Sequence, residues 1–153
     1  MHQNVINLLE IEKEIYSKNY NLDKKTEIIA VSKTFDPPHI MPLVEHGHIH
    51  FGENKVQEAL NKWPNIINKH NNLKLHMIGK LQTNKVKQAV SIFDYIHSID
   101  SLKLAKKIST EQSKINKNLK LFIQINIGNE IQKNGIPIID LDDFYNCLVN
   151  ELN

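Results

Sequence analysis

An apolar run, Ile28-Ile29-Ala30-Val31, ends in Ser32-Lys33-Thr34. On a strand side chains alternate, so Ile29, Val31 and Lys33 share one face and Ile28, Ala30 and Ser32 the other. Both faces are then apolar until the last residues, the pattern of a parallel strand covered on two sides. Lys33 falls where such a sheet's buried face meets its carboxyl-terminal mouth, and α/β folds carry their chemistry there. Two roles are open to it, a nucleophilic amine or a hydrated charge. The run alone favours the second, because most lysines keep their ammonium in water. Four later apolar runs end in similar polar tails: Gly52-Glu53-Asn54, Gly79 to Asn84, His97-Ser98, and Gln124 to Asn126. Five such tails in register point to a shared pocket.

Other reactive side chains argue for less. His46, His48 and His50 would share a strand face, but no carboxylate or cysteine completes a metal set. Cys147 has no evident basic neighbour and reads as packing. Lysine-rich segments such as Lys80 to Lys87 and Lys103 to Lys107 read as solvated helix faces. Gly128 to Gly135 lacks the spacing of a P-loop or a dinucleotide-binding glycine motif. All 19 basic residues are lysine, so the bidentate arginine clamp for phosphates and base edges is missing. With a formal net charge of +2, no strong field argues for nucleic acid or an acidic membrane.

The elements that must position the tails follow from periodicity. A helix is expected over residues 3–19, with a polar break at Asn21-Leu22-Asp23 before the Lys33 strand. Asp36-Pro37-Pro38 starts a short helix, and His48 to Gly52 forms a second strand. Glu53 opens a longer helix that Pro64 kinks or splits. Leu73 to Gly79 is the third strand, a helix spans residues 83–90, and Asp94 to Ser98 is the fourth strand. Asp100 or Ser101 caps the next helix, Leu119 to Ile127 is the fifth strand, and a loop runs from Gly128 to Gly135. Asp140 caps a closing helix with Leu141, Phe144, Tyr145, Leu148, Val149 and Leu152 on one stripe. Regular alternation of this kind means parallel strands with right-handed crossovers, which a doubly wound sheet and a (β/α) barrel both satisfy. Length (153 residues), 41% hydrophobic and 24% charged content fit one domain with a core. A single cysteine, no signal-like start and no run near ~20 apolar residues predict a cytoplasmic chain.

The ordered motifs carry a resemblance. Ala30-Val31-Ser32-Lys33-Thr34, Phe51-Gly52-Glu53-Asn54 with Val56-Gln57-Glu58, and His76-Met77-Ile78-Gly79 with Leu81-Gln82-Thr83-Asn84-Lys85 come first. His97-Ser98-Ile99-Asp100, Gln124-Ile125-Asn126-Ile127 and Gln132-Lys133-Asn134-Gly135 follow. Over nearly its whole length the chain resembles the pyridoxal phosphate homeostasis proteins, relatives of the amino-terminal barrel of alanine racemase. The resemblance implies a (β/α)8 TIM-barrel-type α/β fold, with about five of eight strands present over residues 1–153 and an extra N-terminal helix. It implies pyridoxal 5′-phosphate (PLP) held as a Schiff base on Lys33, whose amine burial in the barrel mouth would keep neutral and reactive. Asn54 matches a residue near the cofactor ring, and His76, Ser98 and Asn126 are expected pocket walls. Gln82, Asn84, Lys85 and Lys133 match motif positions without an assigned role.

Family members continue through three more strands that carry a glycine- and serine-containing phosphate cradle and an arginine facing the pyridine nitrogen. The chain thus resembles the first five-eighths of such a barrel. Leu75 and Met77 stand where aromatics are usual in the third strand, a change expected to soften packing without abolishing the fold. The implied role is to hold and deliver PLP to accepting apoenzymes without substrate turnover, as a monomer when full length. Two other readings stay open: a PLP-dependent amino-acid racemase, which needs a second base, and a remnant that binds PLP weakly.

Overall fold

The computed structural model describes residues 1–18, 26–128, 130 and 132–151. The expected polar break at Asn21-Leu22-Asp23 and the stripe residue Leu152 lie outside them. Helix α1 (Gln3–Lys18) buries Val5 and Leu8, one turn apart on a single face. Five parallel strands follow: β1 (Ala30–Val31), β2 (His50–Glu53), β3 (Lys74–Met77), β4 (Tyr95–Ile99) and β5 (Lys120–Ile123). Between them run α2 (Pro37–Glu45), α3 (Val56–Lys62) with α4 (Pro64–Lys69), α5 (Val86–Ile92) and α6 (Leu102–Lys114). Spatial order equals chain order throughout the sheet. A doubly wound sheet reverses strand order at a switch point, whereas a barrel never does. The ambiguity left by periodicity therefore resolves toward a partial barrel.

The helices cover one face of the sheet. Phe51, Leu75, Met77 and Ile96 project from alternate strand positions into a core completed by Ala59, Trp63, Val90, Ala105 and Ile108. Leu75 and Met77 are fully buried here, so the third strand joins this core without aromatics. The opposite, concave face has no such cover. Val31 is 47% exposed and Phe122 48% exposed, so the first strand is not covered on two sides as its sequence suggested. Alternation was read correctly, but the second layer it required is not supplied by the described residues.

Several boundaries differ from expectation for local reasons. Glu53 ends β2 and does not open a helix, because its backbone carbonyl accepts the N–H of Ile78 beyond β3. Pro64 does split the following helix, at Trp63. Ser101, not Asp100, caps α6, its hydroxyl accepting the Leu104 N–H at 3.4 Å. The expected fifth strand breaks at Gln124, whose N–H reaches Ile99 while its carbonyl accepts from Ile136. Beyond this break β6 (Ile125–Asn126) pairs in parallel with β7 (Ile136–Pro137), a strand hidden at the end of the loop. Gly135 permits that pairing: it sits at φ +112, and a Cβ there would lie 2.8 Å from the Asn126 nitrogen. Asp140 belongs to a 3-10 turn (Ile138–Asp140) leading into α7 (Leu141–Glu151), which packs Phe144 and Leu148 against the core.

Candidate functional site

Lys33 occupies a turn just past the carboxyl end of β1. Its side chain is exposed, so the desolvation expected to neutralise its amine is not provided by the described residues. What the structure does supply is a clamp on the backbone either side of it. Ser32 donates its N–H to the Gly52 carbonyl (2.9 Å) and its hydroxyl to Glu53 Oε1 (2.9 Å). The Ser32 carbonyl accepts from Lys62 Nζ at 2.8 Å. On the other side, the Thr34 N–H donates to Glu58 Oε1 at 2.6 Å. Thr34 has φ 65, a left-handed conformation that a β-branched residue adopts at a cost of about 1–3 kcal/mol.

The clamp rests on a buried ion pair. Glu53 is fully buried, and its Oε1 accepts from Ser32, from Lys62 Nζ (2.9 Å) and from Trp63 Nε1 (3.0 Å). The Lys62 side chain is 7% exposed and commits its three protons to Ser32, Glu53 and Glu58. The Thr34 N–H, and secondarily Lys62, hold the Glu58 carboxyl below the usual carboxylate range. Ser32 and Glu53 lie on the helix-facing side of their strands, and Glu58 and Lys62 one turn apart on α3. Sequence reading found Glu58 only as a motif match and missed Lys62, although their i, i+4 spacing was visible.

Asn54 follows Glu53 at the end of the neighbouring strand. Its Oδ1 is buried and has no hydrogen-bond partner. Gly79, at the end of β3, presses on it: a Cβ at residue 79 would lie 2.3 Å from the Asn54 carbonyl oxygen. The glycine therefore lets the two strand ends close together. An open cleft of about 340 Å3 begins here, lined by Asn54, Gln57, Lys80, Gln82 and Lys85 among others.

Across the concave face runs a row of imidazoles. His50 Nδ1 lies 2.9 Å from His76 Nε2, and His76 Nδ1 lies 2.9 Å from His97 Nε2. Tyr95 stacks on His76 at 4.1 Å between centroids, and Phe122 on His97 at 4.4 Å. A neutral His76 ring donates from one nitrogen and accepts at the other, so both of its contacts are satisfied without charge. Burial, then the neighbouring His97 and His50, lower the pKa of His76 to about 4. Burial also lowers His97. Of the expected pocket walls, His76 thus lies on the concave face with its charge suppressed.

Ser98 and Asn126 are placed differently. Ser98 is 2% exposed, one position out of phase with His97, on the helix side of β4, and its hydroxyl oxygen has no partner. Asn126 lies in the separate β6–β7 pair, where its amide donates to Glu130 and accepts the Glu130 N–H, holding the loop. Lys33, Asn54 and His76 are carried by the first three strands of one sheet, whereas Ser98 and Asn126 point their polar groups elsewhere. Lys133 pairs with Glu130 in that loop, and Lys85 ends a 3-10 turn at the cleft. His48 bonds the His50 carbonyl, and no group of three or more metal-ligating side chains assembles among the described residues.

Residues 6–152 match the family profile described as alanine racemase, N-terminal domain. The chain is 39% identical over 137 residues to the pyridoxal phosphate homeostasis protein of Buchnera aphidicola, covering 87% of this chain and 59% of that one. It thus spans about three-fifths of that relative's length. Among solved structures it superposes on PipY of Synechococcus elongatus without PLP, with TM-score 0.78, 34% identity and coverage of 94% and 66%. The same protein with PLP bound gives TM-score 0.76, 32% identity and coverage of 94% and 65%.

Proposed function

The chain belongs to the alanine racemase N-terminal domain family, and from that premise we propose that it holds PLP on Lys33 and releases it to accepting apoenzymes. The observation that carries the proposal is the clamped Lys33 turn after β1, the strand paired with β2, after which Asn54 keeps a buried amide oxygen without a partner. An orphaned polar atom at the end of the strand paired with the one that leads to an accessible amine fits a ligand that brings both a carbonyl and hydrogen-bonding groups. When bound, PLP supplies an electrophilic aldehyde. Lys33 supplies the amine, Asn54 a polar contact for the ring's substituents, and His76 a neutral wall that adds no cation to the pocket. Ser98 and Asn126 are assigned to support of the strand and the loop. The relatives named for PLP homeostasis, and the PLP-bound PipY, support the same reading.

We infer holding without turnover from the surroundings of Lys33. Racemization needs a second proton carrier on the opposite face of the substrate, and no second acid or base is joined to Lys33 among the described residues. An exposed amine also suits reversible exchange with other amines. No helix among the described residues is long and apolar enough to cross a membrane, and we place the protein's work in the cytoplasm with its acceptor enzymes. The test is borohydride reduction of the purified chain after adding PLP, followed by peptide mapping. Labelling concentrated on Lys33 is expected. Labelling scattered over surface lysines refutes the assignment, and racemization of alanine on adding PLP refutes the carrier role.

A further inference from the structure

Resting on the PLP reading, we infer that Glu58 is a positioning residue for Lys33, acting through the backbone of Thr34. The amide that follows Lys33 is tied to a carboxylate on α3, and the carbonyl that precedes it is tied to Lys62 one turn further along the same helix. Both anchors meet, because Lys62 also bonds Glu58 (3.2 Å) and Glu53 (2.9 Å). Lys33's own side chain is exposed, so the aim of its amine is set at the root of the side chain and not along its stem. A left-handed threonine persists only where its surroundings over-determine it, and the Glu58 bond is the contact that fixes its N–H. Glu58 itself is a quarter exposed, in the first turn of α3, where a carboxylate is favourable, and it is not part of the apolar core. Its work is therefore separable from the core's.

The test compares Glu58→Ala with Glu58→Gln, which keeps an acceptor for the Thr34 N–H. Two quantities are read: the share of borohydride-fixed PLP found on Lys33, and amide hydrogen exchange at Thr34 in the chain without PLP. Far-UV circular dichroism confirms that both variants fold. In Glu58→Ala the Lys33 share should fall about threefold or more as the amine loses its aim. Thr34 exchange should quicken by about tenfold, the loss of one local bond. Glu58→Gln should restore both to within about twofold. A Glu58→Ala variant that labels Lys33 as the parent does overturns the inference, as does a Glu58→Gln variant as impaired as Glu58→Ala. If the parent itself labels lysines without preference, the PLP reading has failed. Thr34 exchange then decides alone: an unchanged rate overturns the clamp, and a faster one rescued by glutamine upholds it.

Discussion

Acidification should unfold this protein through His76 before its carboxylates matter. In the unfolded chain the ring takes a proton near pH 6.5, whereas in the fold burial, His97 and His50 lower its pKa to about 4. Above pH 6.5 the ring is neutral in both states and contributes no pH dependence. Between 6.5 and 4 the unfolded chain binds the extra proton, so stability falls as pH falls, and below 4 this contribution levels off. At pH 4.5 the linkage relation gives about 2.5 kcal/mol lost from this one group, a large part of a small domain's stability. Burial sets most of the size, and His97 and His50 on its two nitrogens add to it; Tyr95 covers its ring face, with Lys120 over Tyr95 and Glu27 3.7 Å from His50 further out. His48 and His97 are lowered too, chiefly by burial, and steepen the fall.

The assay is urea unfolding at pH 7 and 4.5 for the parent and for His76→Gln, which cannot ionise but still hydrogen-bonds. The parent should lose about 2 kcal/mol more than the variant across this interval. Histidine NMR titration supplies the direct reading. Equal losses in both proteins, or a His76 ring that titrates near its ordinary value, would refute the reasoning.

Three further outcomes follow from packing. Lys62→Met leaves the Glu53 carboxylate buried without its cation and should cost about 3–5 kcal/mol in urea unfolding, with much of it regained in Lys62→Met/Glu53→Leu. Gly79→Ala drives a methyl group to within 2.3 Å of the Asn54 carbonyl and should cost about 1–3 kcal/mol, seen as a lower melting temperature. Ser101→Ala removes the cap of α6; its bond is long at 3.4 Å, so a loss of about 0.5–1 kcal/mol is expected, and a loss above about 2 would point to another role.

Much of this arrangement was legible in the sequence because strands and helices announce their periods. The five strands, the split at Pro64 and the position of Lys33 at a strand's end all follow from apolar spacing and proline chemistry. Phase was harder. The His97-Ser98 tail marked the right place, but a one-residue shift decides which side chain faces the concave surface, and the fold chose His97. β7 escaped notice because two residues, one a proline, carry no periodic signal. The exposure of Lys33 was out of reach as well: strand alternation says which face a residue takes, not what covers that face.

The Glu53–Lys62 pair joins these levels. Burying two ions costs several kcal/mol each, and their attraction returns it only when geometry is good and every lone pair is used. Here Glu53 Oε1 takes three donors while Oε2, also buried, takes none. An orphaned oxygen of that kind costs about 1–3 kcal/mol, so the pair is a poor way to stabilise a core that already buries Phe51 and Trp63 completely. Stability alone would favour an apolar pair of the same shape wherever the Trp63 N–H kept another acceptor. What the ions provide, and leucine with methionine would not, is a fixed address for the Ser32 hydroxyl and carbonyl and, through Glu58, for the Thr34 amide. The double variant Lys62→Met/Glu53→Leu separates the two accounts. If the pair serves geometry, that protein should fall no more than about 1–3 kcal/mol below the parent, the cost of a Trp63 N–H left without its acceptor, and yet lose its preference for labelling Lys33.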